Sequence, residues 1–184
     1  FYLDNLHGTE TVRFQDVTVG AGFLMDGLAD TLTVELDNAV LYVEEADAAL
    51  TQLTFDTAGG SSMVYLEAVN PDTALVLQGD QNVRLLNVHQ DINATAYTGV
   101  SRIYAQVAVD DLFFTGGSGR DQYFGGSGGD TIDGRDGDDR LDGNGGNDLI
   151  IGAVGNDDLR GGAGNDTLVG DGNLQVGNDR LSGG

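Results

Sequence analysis

The chain has 184 residues and a formal net charge of −22, from 30 acidic and 8 basic side chains. This charge disfavours nucleic acid and anionic membranes as partners and favours cations. The sequence contains no cysteine, so disulfides do not stabilise it, and it has no run of 18 apolar residues that could insert into a bilayer as a helix.

Residues 1–115 have the composition of a β-rich scaffold rather than of a catalyst. Short runs of β-branched and aromatic residues recur about every ten residues, separated by Asp, Asn, Gly or Pro. Within 31–37, alternation places Leu32, Val34 and Leu36 on one face of a half-buried strand. We predict strands at 31–36, 39–44, 50–55, 62–67, 74–79, 83–88, 102–109 and 111–116.

Two further expectations concern this region. Residues 44–53 also fit a short helix, which is an alternative to strand there. Four aromatic residues are expected to fill the core where this region meets the next one: Tyr97, Tyr104, Phe113 and Phe114.

A repeat of nine residues begins at residue 116. Of the 30 glycines, 22 lie in 116–184 and 8 precede them, which predicts two regions, 1–115 and 116–184. The repeat template is G-G-x-G-x-D-x-U-x, where U is apolar. The seventh repeat begins at Gly170 with four extra residues and breaks off at Gly184, so we expect a longer parent polypeptide. The six complete repeats are 116–124, 125–133, 134–142, 143–151, 152–160 and 161–169.

The apolar eighth place of each repeat predicts a stack of half-coils. Residues 18 apart then lie on one another, which places Tyr123 on Leu141 and Ile132 on Ile150. Burying one such side chain contributes roughly 1.5–3 kcal/mol. Fixing nine residues costs on the order of 9–18 kcal/mol of backbone entropy, so this stack needs a further source of stability.

The sixth place of each repeat is an aspartate, and we name these seven residues the ladder aspartates. In the predicted stack their carboxylates lie about 5 Å apart along each edge and repel one another. A divalent cation between successive coils would remove this repulsion. The ladder aspartates are Asp121, Asp130, Asp139, Asp148, Asp157, Asp166 and Asp179.

Calcium suits such sites best. Ca²⁺ takes 6–8 oxygen ligands in flexible geometry, whereas Mg²⁺ needs small octahedral sites. Zn²⁺ prefers cysteine and histidine, and the two histidines, His7 and His89, lie outside the repeats. We therefore predict several Ca²⁺ ions, held by the ladder aspartates and by backbone carbonyls of the adjoining Gly-rich turns. The predicted pairs are Asp121 with Asp139, Asp130 with Asp148, Asp139 with Asp157, and Asp148 with Asp166.

Two observations qualify this prediction. The insertion around 171–176 is expected to loop out, which puts a site between Asp157 and Asp179 in doubt. A disordered Gly/Asp linker would have a similar composition. A linker does not keep an apolar residue and an aspartate at fixed places through seven repeats, so the repeat favours an ordered solenoid.

The repeats resemble the RTX (hemolysin-type calcium-binding) family of secreted bacterial proteins. This resemblance implies a right-handed parallel β-roll around Ca²⁺, type I secretion and folding outside the cell. Residues 74–121 resemble RTX-containing surface-layer proteins of proteobacteria, with "DINATAYTG" at 91–99 similar to a turn of those proteins. The second resemblance implies that the strands of 1–115 continue into the roll as an irregular β-solenoid.

Two functions are compatible with the sequence. The first is a non-enzymatic, calcium-dependent structural module of a bacterial surface protein, either a surface-layer lattice protein or a large adhesin that self-associates. The alternative is the calcium-binding secretion and folding module of an RTX enzyme or toxin whose catalytic domain lies outside this sequence. No catalytic constellation is recognisable in the sequence, which favours the first function.

Overall fold

The computed structural model describes residues 2–4, 9–15, 22–26, 31–46, 50–66, 69, 72–106, 108–171 and 177–184. Within these, side chains are described from residue 31 onward except at 44–46, 58 and 59. These residues form nineteen strands and no helix. The strands before the repeats are β1 (Tyr2–Asp4), β2 (Thr9–Gln15), β3 (Gly22–Asp26), β4 (Thr31–Asp37), β5 (Val40–Ala46), β6 (Gln52–Gly59), β7 (Ser62–Leu66), β8 (Ala74–Gly79), β9 (Val83–Leu86), β10 (Ile92–Tyr97), β11 (Ser101–Tyr104) and β12 (Phe113–Thr115). The strands of the repeats are β13 (Asp121–Phe124), β14 (Thr131–Asp133), β15 (Arg140–Gly145), β16 (Leu149–Ile151), β17 (Asp158–Ala163), β18 (Thr167–Val169) and β19 (Arg180–Ser182).

The strands form two parallel sheets. One contains the odd-numbered strands in chain order, and the other contains the even-numbered strands. Consecutive strands therefore alternate between the sheets, and each strand pairs with the strand two places later. This is the parallel β-solenoid that the sequence predicted; the hand of its coil stays a prediction.

The stack continues without interruption from the upstream strands into the repeats. In the even sheet, Ile92 of β10 aligns with Phe114 of β12, which aligns with Ile132 of β14. In the odd sheet, Ile103 of β11 aligns with Tyr123 of β13. The upstream region is thus the first part of the same solenoid, as the family resemblance implied.

The core lies between the two sheets and narrows along the stack. Strand β4 buries Leu32, Val34 and Leu36 in alternation, as predicted, whereas β14 buries Ile132 alone. The predicted stacking of residues 18 apart is confirmed in both sheets, where Tyr123 aligns with Leu141 and Ile132 with Ile150. Each repeat strand contributes one apolar side chain to the core. The stabilisation that each coil gains from burying apolar surface is therefore smallest in the repeats.

Three expectations about secondary structure are wrong. The strand predicted at 102–109 does not continue past Tyr104, where β11 ends. The alternative helix at 44–53 is absent, because β5 extends to Ala46 and β6 begins at Gln52, while residues 47–49 lie outside the described part of the chain. The segment 91–99, read as a turn, contains strand β10. Its pairing with β8 shifts register between Asn93 and Ala96, so its sequence lacks the simple alternation that identifies a strand.

The four aromatic residues at the junction divide between core and surface. Tyr97 and Phe114 are buried, as expected. Phe113 is 58% exposed, because it neighbours Phe114 in β12 and successive side chains of a strand point to opposite faces. Tyr104 lies on the outer face of β11, where its ring stacks on Phe124. The core expectation for Tyr104 and Phe113 is therefore wrong.

Candidate metal centre

The ladder aspartates lie where the Gly-rich turns lead into the strands. Asp121 begins β13, and Asp130, Asp148 and Asp166 each directly precede an even-numbered strand. The first five members of the ladder, Asp121 to Asp157, are at most 2% exposed. Carboxylates are rarely buried to this extent unless a partner compensates the loss of hydration.

One oxygen of each ladder aspartate joins successive coils. The backbone N–H of a ladder aspartate donates to Oδ1 of the ladder aspartate one coil later. The structure therefore brings together every pair that the sequence predicted. The N···Oδ1 distances are 2.8 Å from Asp121 to Asp139, 2.8 Å from Asp130 to Asp148, 2.9 Å from Asp139 to Asp157 and 3.0 Å from Asp148 to Asp166.

The insertion does not break this pattern. The N–H of Asp157 donates to Oδ1 of Asp179 at 3.0 Å, although 22 rather than 18 residues separate them. Leu159 and Leu181 also remain aligned between β17 and β19. Residues 172–176 lie outside the described part of the chain, and Asp179 resumes the ladder after them.

The other oxygen, Oδ2, faces the first glycine of its own repeat. A Cβ at Gly134, Gly143, Gly152 or Gly161 would collide with the Oδ2 of the aspartate five residues later, which explains the glycine at this place. Four of these oxygens are buried and accept no hydrogen bond: Oδ2 of Asp139, Asp148, Asp157 and Asp166. A buried oxygen without a partner is costly.

The electrostatics agree with this cost. Burial, followed by repulsion from Asp121, Asp157 and Asp138, raises the pKa of Asp139 to about 8, although a backbone hydrogen bond opposes the shift. Burial likewise raises the pKa of Asp148 to about 6. Desolvation also raises the pKa of Asp157. Burial and mutual repulsion therefore disfavour the ionised form of these carboxyl groups, and a bound cation would favour it.

Backbone carbonyls lie beside the ladder. The fourth-place glycine of each repeat packs against the carbonyl of the fourth-place residue one coil earlier. A Cβ at Gly137 or Gly155 would collide with the oxygen of Gly119 or Gly137, respectively. Both glycines also have positive φ, 138° and 146°. The turn therefore requires glycine for two reasons, the close carbonyl oxygen and the positive φ.

Side chains alone do not form a metal site. Among the described residues, no three His, Cys, Asp or Glu side chains cluster closely enough to hold a metal ion. A cation at the ladder would combine one or two carboxylates with carbonyl oxygens. This all-oxygen donor set fits Ca²⁺ and does not fit Zn²⁺.

A family model of the RTX calcium-binding nonapeptide repeat matches residues 115–150 and 142–173. The chain contains RTX calcium-binding repeats. Repeats of this family bind several Ca²⁺ ions, so Ca²⁺ is the cofactor of these repeats. No curated protein and no solved structure matches the chain. Among the residues that the structure describes, no helix could span a membrane.

Sequence reasoning missed three groups at the site. Ser101 donates its hydroxyl to Oδ1 of Asp121 at 2.6 Å. Asp133 and Asp142, at the ninth place of their repeats, accept backbone N–H groups of the following turns. The signal for Ser101 was a serine two places before the buried Ile103, the same spacing that separates a ladder aspartate from its apolar residue.

Proposed function

We propose that this chain is a calcium-dependent structural module in which a β-rich scaffold, 1–115, leads into a calcium-binding roll, 116–184. The ladder aspartates with a partnerless Oδ2, Asp139, Asp148, Asp157 and Asp166, hold the ions together with carbonyls of the Gly-rich turns. The observation that carries this proposal is the set of four buried Oδ2 atoms without hydrogen-bond partners. Each is a carboxyl oxygen already excluded from water, so a cation gains a ligand there at little further desolvation cost.

Bound calcium would supply positive charge between the ladder carboxylates. The Gly-rich turns hold Oδ2 and the carbonyl oxygens in place, while the Oδ1 hydrogen bonds keep successive coils in register. Titration calorimetry with CaCl₂ tests this directly. We expect several ions per chain, and a chain that binds no Ca²⁺ at millimolar concentration would refute the assignment.

We further propose that the protein works outside the cell. Extracellular calcium modules bind with Kd values of about 10⁻⁴–10⁻³ M, and the family to which the repeats are similar is typically secreted. A roll with such affinities would stay unfolded during export and fold on reaching calcium. The bacterial cell surface, and a surface layer or adhesin in particular, is the setting we propose.

The outer face of the odd sheet supports self-association. Its aromatic column aligns Tyr42 with Tyr65, whose ring centroids are 4.4 Å apart, and Tyr104 with Phe124 at 5.1 Å. The adjacent column aligns Arg84 with Arg102. We name this surface the arginine–aromatic face, and it comprises Tyr42, Tyr65, Arg84, Leu86, Arg102, Tyr104, Phe124 and Arg140.

The occupant that fits this face is a second copy of the chain. The named residues include three of the eight arginines, whereas the chain as a whole has 30 acidic residues. At the repeat end of the face its columns continue into aspartates, Asp142 next to Phe124 and Asp158 next to Arg140. Another copy presents acidic surface elsewhere, such as the cleft of about 460 Å³ lined by Asp72, Asp91, Asp110 and Asp111. A contact between two unlike surfaces of this kind is heterologous and gives open assemblies when the rotation between copies does not close into a ring.

Assembly across a calcium titration tests this proposal. We expect light scattering and electron microscopy to show growing assemblies as Ca²⁺ rises, and their loss upon chelation. The alternative, a folding module of an RTX enzyme or toxin, predicts a parent that stays monomeric in millimolar Ca²⁺ and turns over a substrate. The arginine–aromatic face is the specific observation that favours assembly.

A further inference from the structure

The ladder positions continue upstream of the repeats, where neutral residues occupy them. In the odd sheet, Asp121 aligns with Ser101, Ser101 with Val83, and Val83 with Ser62. In the even sheet, the position before β12 that corresponds to Asp130 is Leu112. The upstream coils therefore have the geometry of the ladder without its charges.

These neutral residues are buried and satisfied by hydrogen bonds. The hydroxyl of Ser62 accepts the N–H of Ala39 at 3.2 Å. Thr73 and Gln90, at the equivalent places before β8 and β10, donate to the carbonyls of Leu50 at 2.8 Å and Val69 at 3.0 Å. The upstream coils thus close their turns without any cation.

The first two ladder aspartates share this property. Oδ1 of Asp121 accepts the Ser101 hydroxyl at 2.6 Å, and its Oδ2 accepts the N–H of Gly117 at 3.0 Å. Oδ1 of Asp130 accepts the N–H of Leu112 at 3.0 Å, and its Oδ2 that of Gly126 at 3.4 Å. Both oxygens of each carboxylate have protein partners.

The turn changes at residue 134. The second residue of the next four repeats has positive φ: 71° at Arg135, 66° at Asn144, 74° at Ala153 and 102° at Gly162. Gly117 and Gly126 do not have positive φ. In this conformation, the N–H of Arg135 donates to Asp133 and that of Asn144 to Asp142, both at 3.2 Å. The Oδ2 atoms of the ladder, from Asp139 to Asp166, lose the donor that Gly117 and Gly126 supply in the first two repeats.

We infer that the calcium requirement begins at the third repeat rather than at the first. Asp121 and Asp130 are then structural, hydrogen-bonded positions, and residues 31–133 form a calcium-independent stack on which residues 134–184 fold when calcium binds. This inference rests on the proposed calcium function and divides the seven predicted ligands into two kinds. The last strands of the upstream stack are already formed before calcium binds. The first calcium-bound coil therefore pairs with existing strands and does not have to nucleate a sheet.

Hydrogen exchange of the full chain, read by mass spectrometry, locates this boundary. In EGTA we expect slow exchange in strands β4 to β14 and fast exchange from β15 to β19; CaCl₂ should slow only the latter. Fast exchange in β13 and β14 in EGTA, with protection by calcium, would overturn the inference and leave the calcium function intact. Exchange that calcium alters nowhere would refute the proposed function itself.

Asparagine substitutions provide the second test, because they keep the shape and the Oδ1 acceptor while removing the charge. We expect Asp139→Asn and Asp148→Asn to weaken calcium binding by on the order of ten-fold or more. Asp121→Asn and Asp130→Asn are the matched controls, and we expect less than about two-fold change in their calcium midpoints. Equal weakening in all four variants would contradict the division at residue 134.

Discussion

The backbone N–H of Asp130 donates to Oδ1 of Asp148 at 2.8 Å, while Oδ2 of Asp148 is buried without a partner. One carboxylate thus links two coils through one oxygen and leaves the other for a ligand. The same relationship recurs for Asp139, Asp157 and Asp166. The ladder thus has two functions: one oxygen keeps successive coils in register, and the other is available to bind a cation. Substitutions can separate these two functions.

Asp148→Ala is expected to damage the roll more than Asp179→Ala. Asp148 accepts from Asp130 and its own N–H donates to Asp166, so it contributes to two coil junctions. Asp179 accepts from Asp157 and precedes β19, the last strand of the odd sheet. Calcium titrations followed by circular dichroism measure both variants. Equal losses would contradict a ladder in which each aspartate serves the coils on both sides.

Gly143→Ala is expected to disrupt calcium binding, because the added Cβ would collide with the carboxylate of Asp148. Overpacking of this kind costs about 1–3 kcal/mol. Gly145→Ala is the matched control in the same repeat, since a Cβ there meets only ordinary contacts, the closest at 3.8 Å, and its φ is not positive. Thermal unfolding in saturating Ca²⁺ should show a lowered Tm for the first variant only.

Much of this arrangement could be predicted from the sequence, because a fixed period carries it. The nine-residue spacing gave the stacking of Tyr123 on Leu141 and the pairing of Asp130 with Asp148. The role of Ser101 was not predicted, because its one signal is the spacing to Ile103. Upstream coils vary in length, so the alignment of Ser101 with Asp121 depends on how the strands pair. Strand β10 was also missed. Its pairing with β8 shifts register, which interrupts the alternation of buried and exposed residues that identifies a strand.

Acid is expected to stabilise the calcium-free roll. The pKa of Asp139 is raised to about 8 and that of Asp148 to about 6 in the folded chain. Between pH 4 and 8 the folded state therefore binds more protons than the unfolded state, so its stability falls as pH rises through this range. Circular dichroism in EGTA should show more β structure at pH 5 than at pH 8.

The same protons compete with calcium. We expect the calcium midpoint to be higher at pH 6 than at pH 8, because Asp139 must lose its proton to bind a cation. Asp139→Asn is the control, and it should reduce this pH dependence. A calcium midpoint that is constant from pH 6 to pH 8 in the unsubstituted chain would contradict the burial of these carboxylates.

Charge reversal on the arginine–aromatic face is expected to block self-association. The double variant Arg84→Glu, Arg102→Glu places like charges opposite the acidic surface of a second copy. The control is the double variant Arg120→Glu, Arg135→Glu, which changes the net charge equally. Arg120 and Arg135 lie in turns between strands and are not members of the named face. Sedimentation in Ca²⁺ should show smaller assemblies for the first variant only. Equal assembly of both variants would exclude this face as the contact.

The central claim is that calcium supplies stability that each repeat lacks, because each repeat buries only one apolar side chain. Circular dichroism of the full chain across a CaCl₂ titration, with MgCl₂ as the control, measures this most directly. We predict a β signal that is partial in EGTA, rises steeply to saturation within millimolar Ca²⁺ and does not rise with Mg²⁺. Identical spectra in EGTA and in saturating Ca²⁺ would contradict the account.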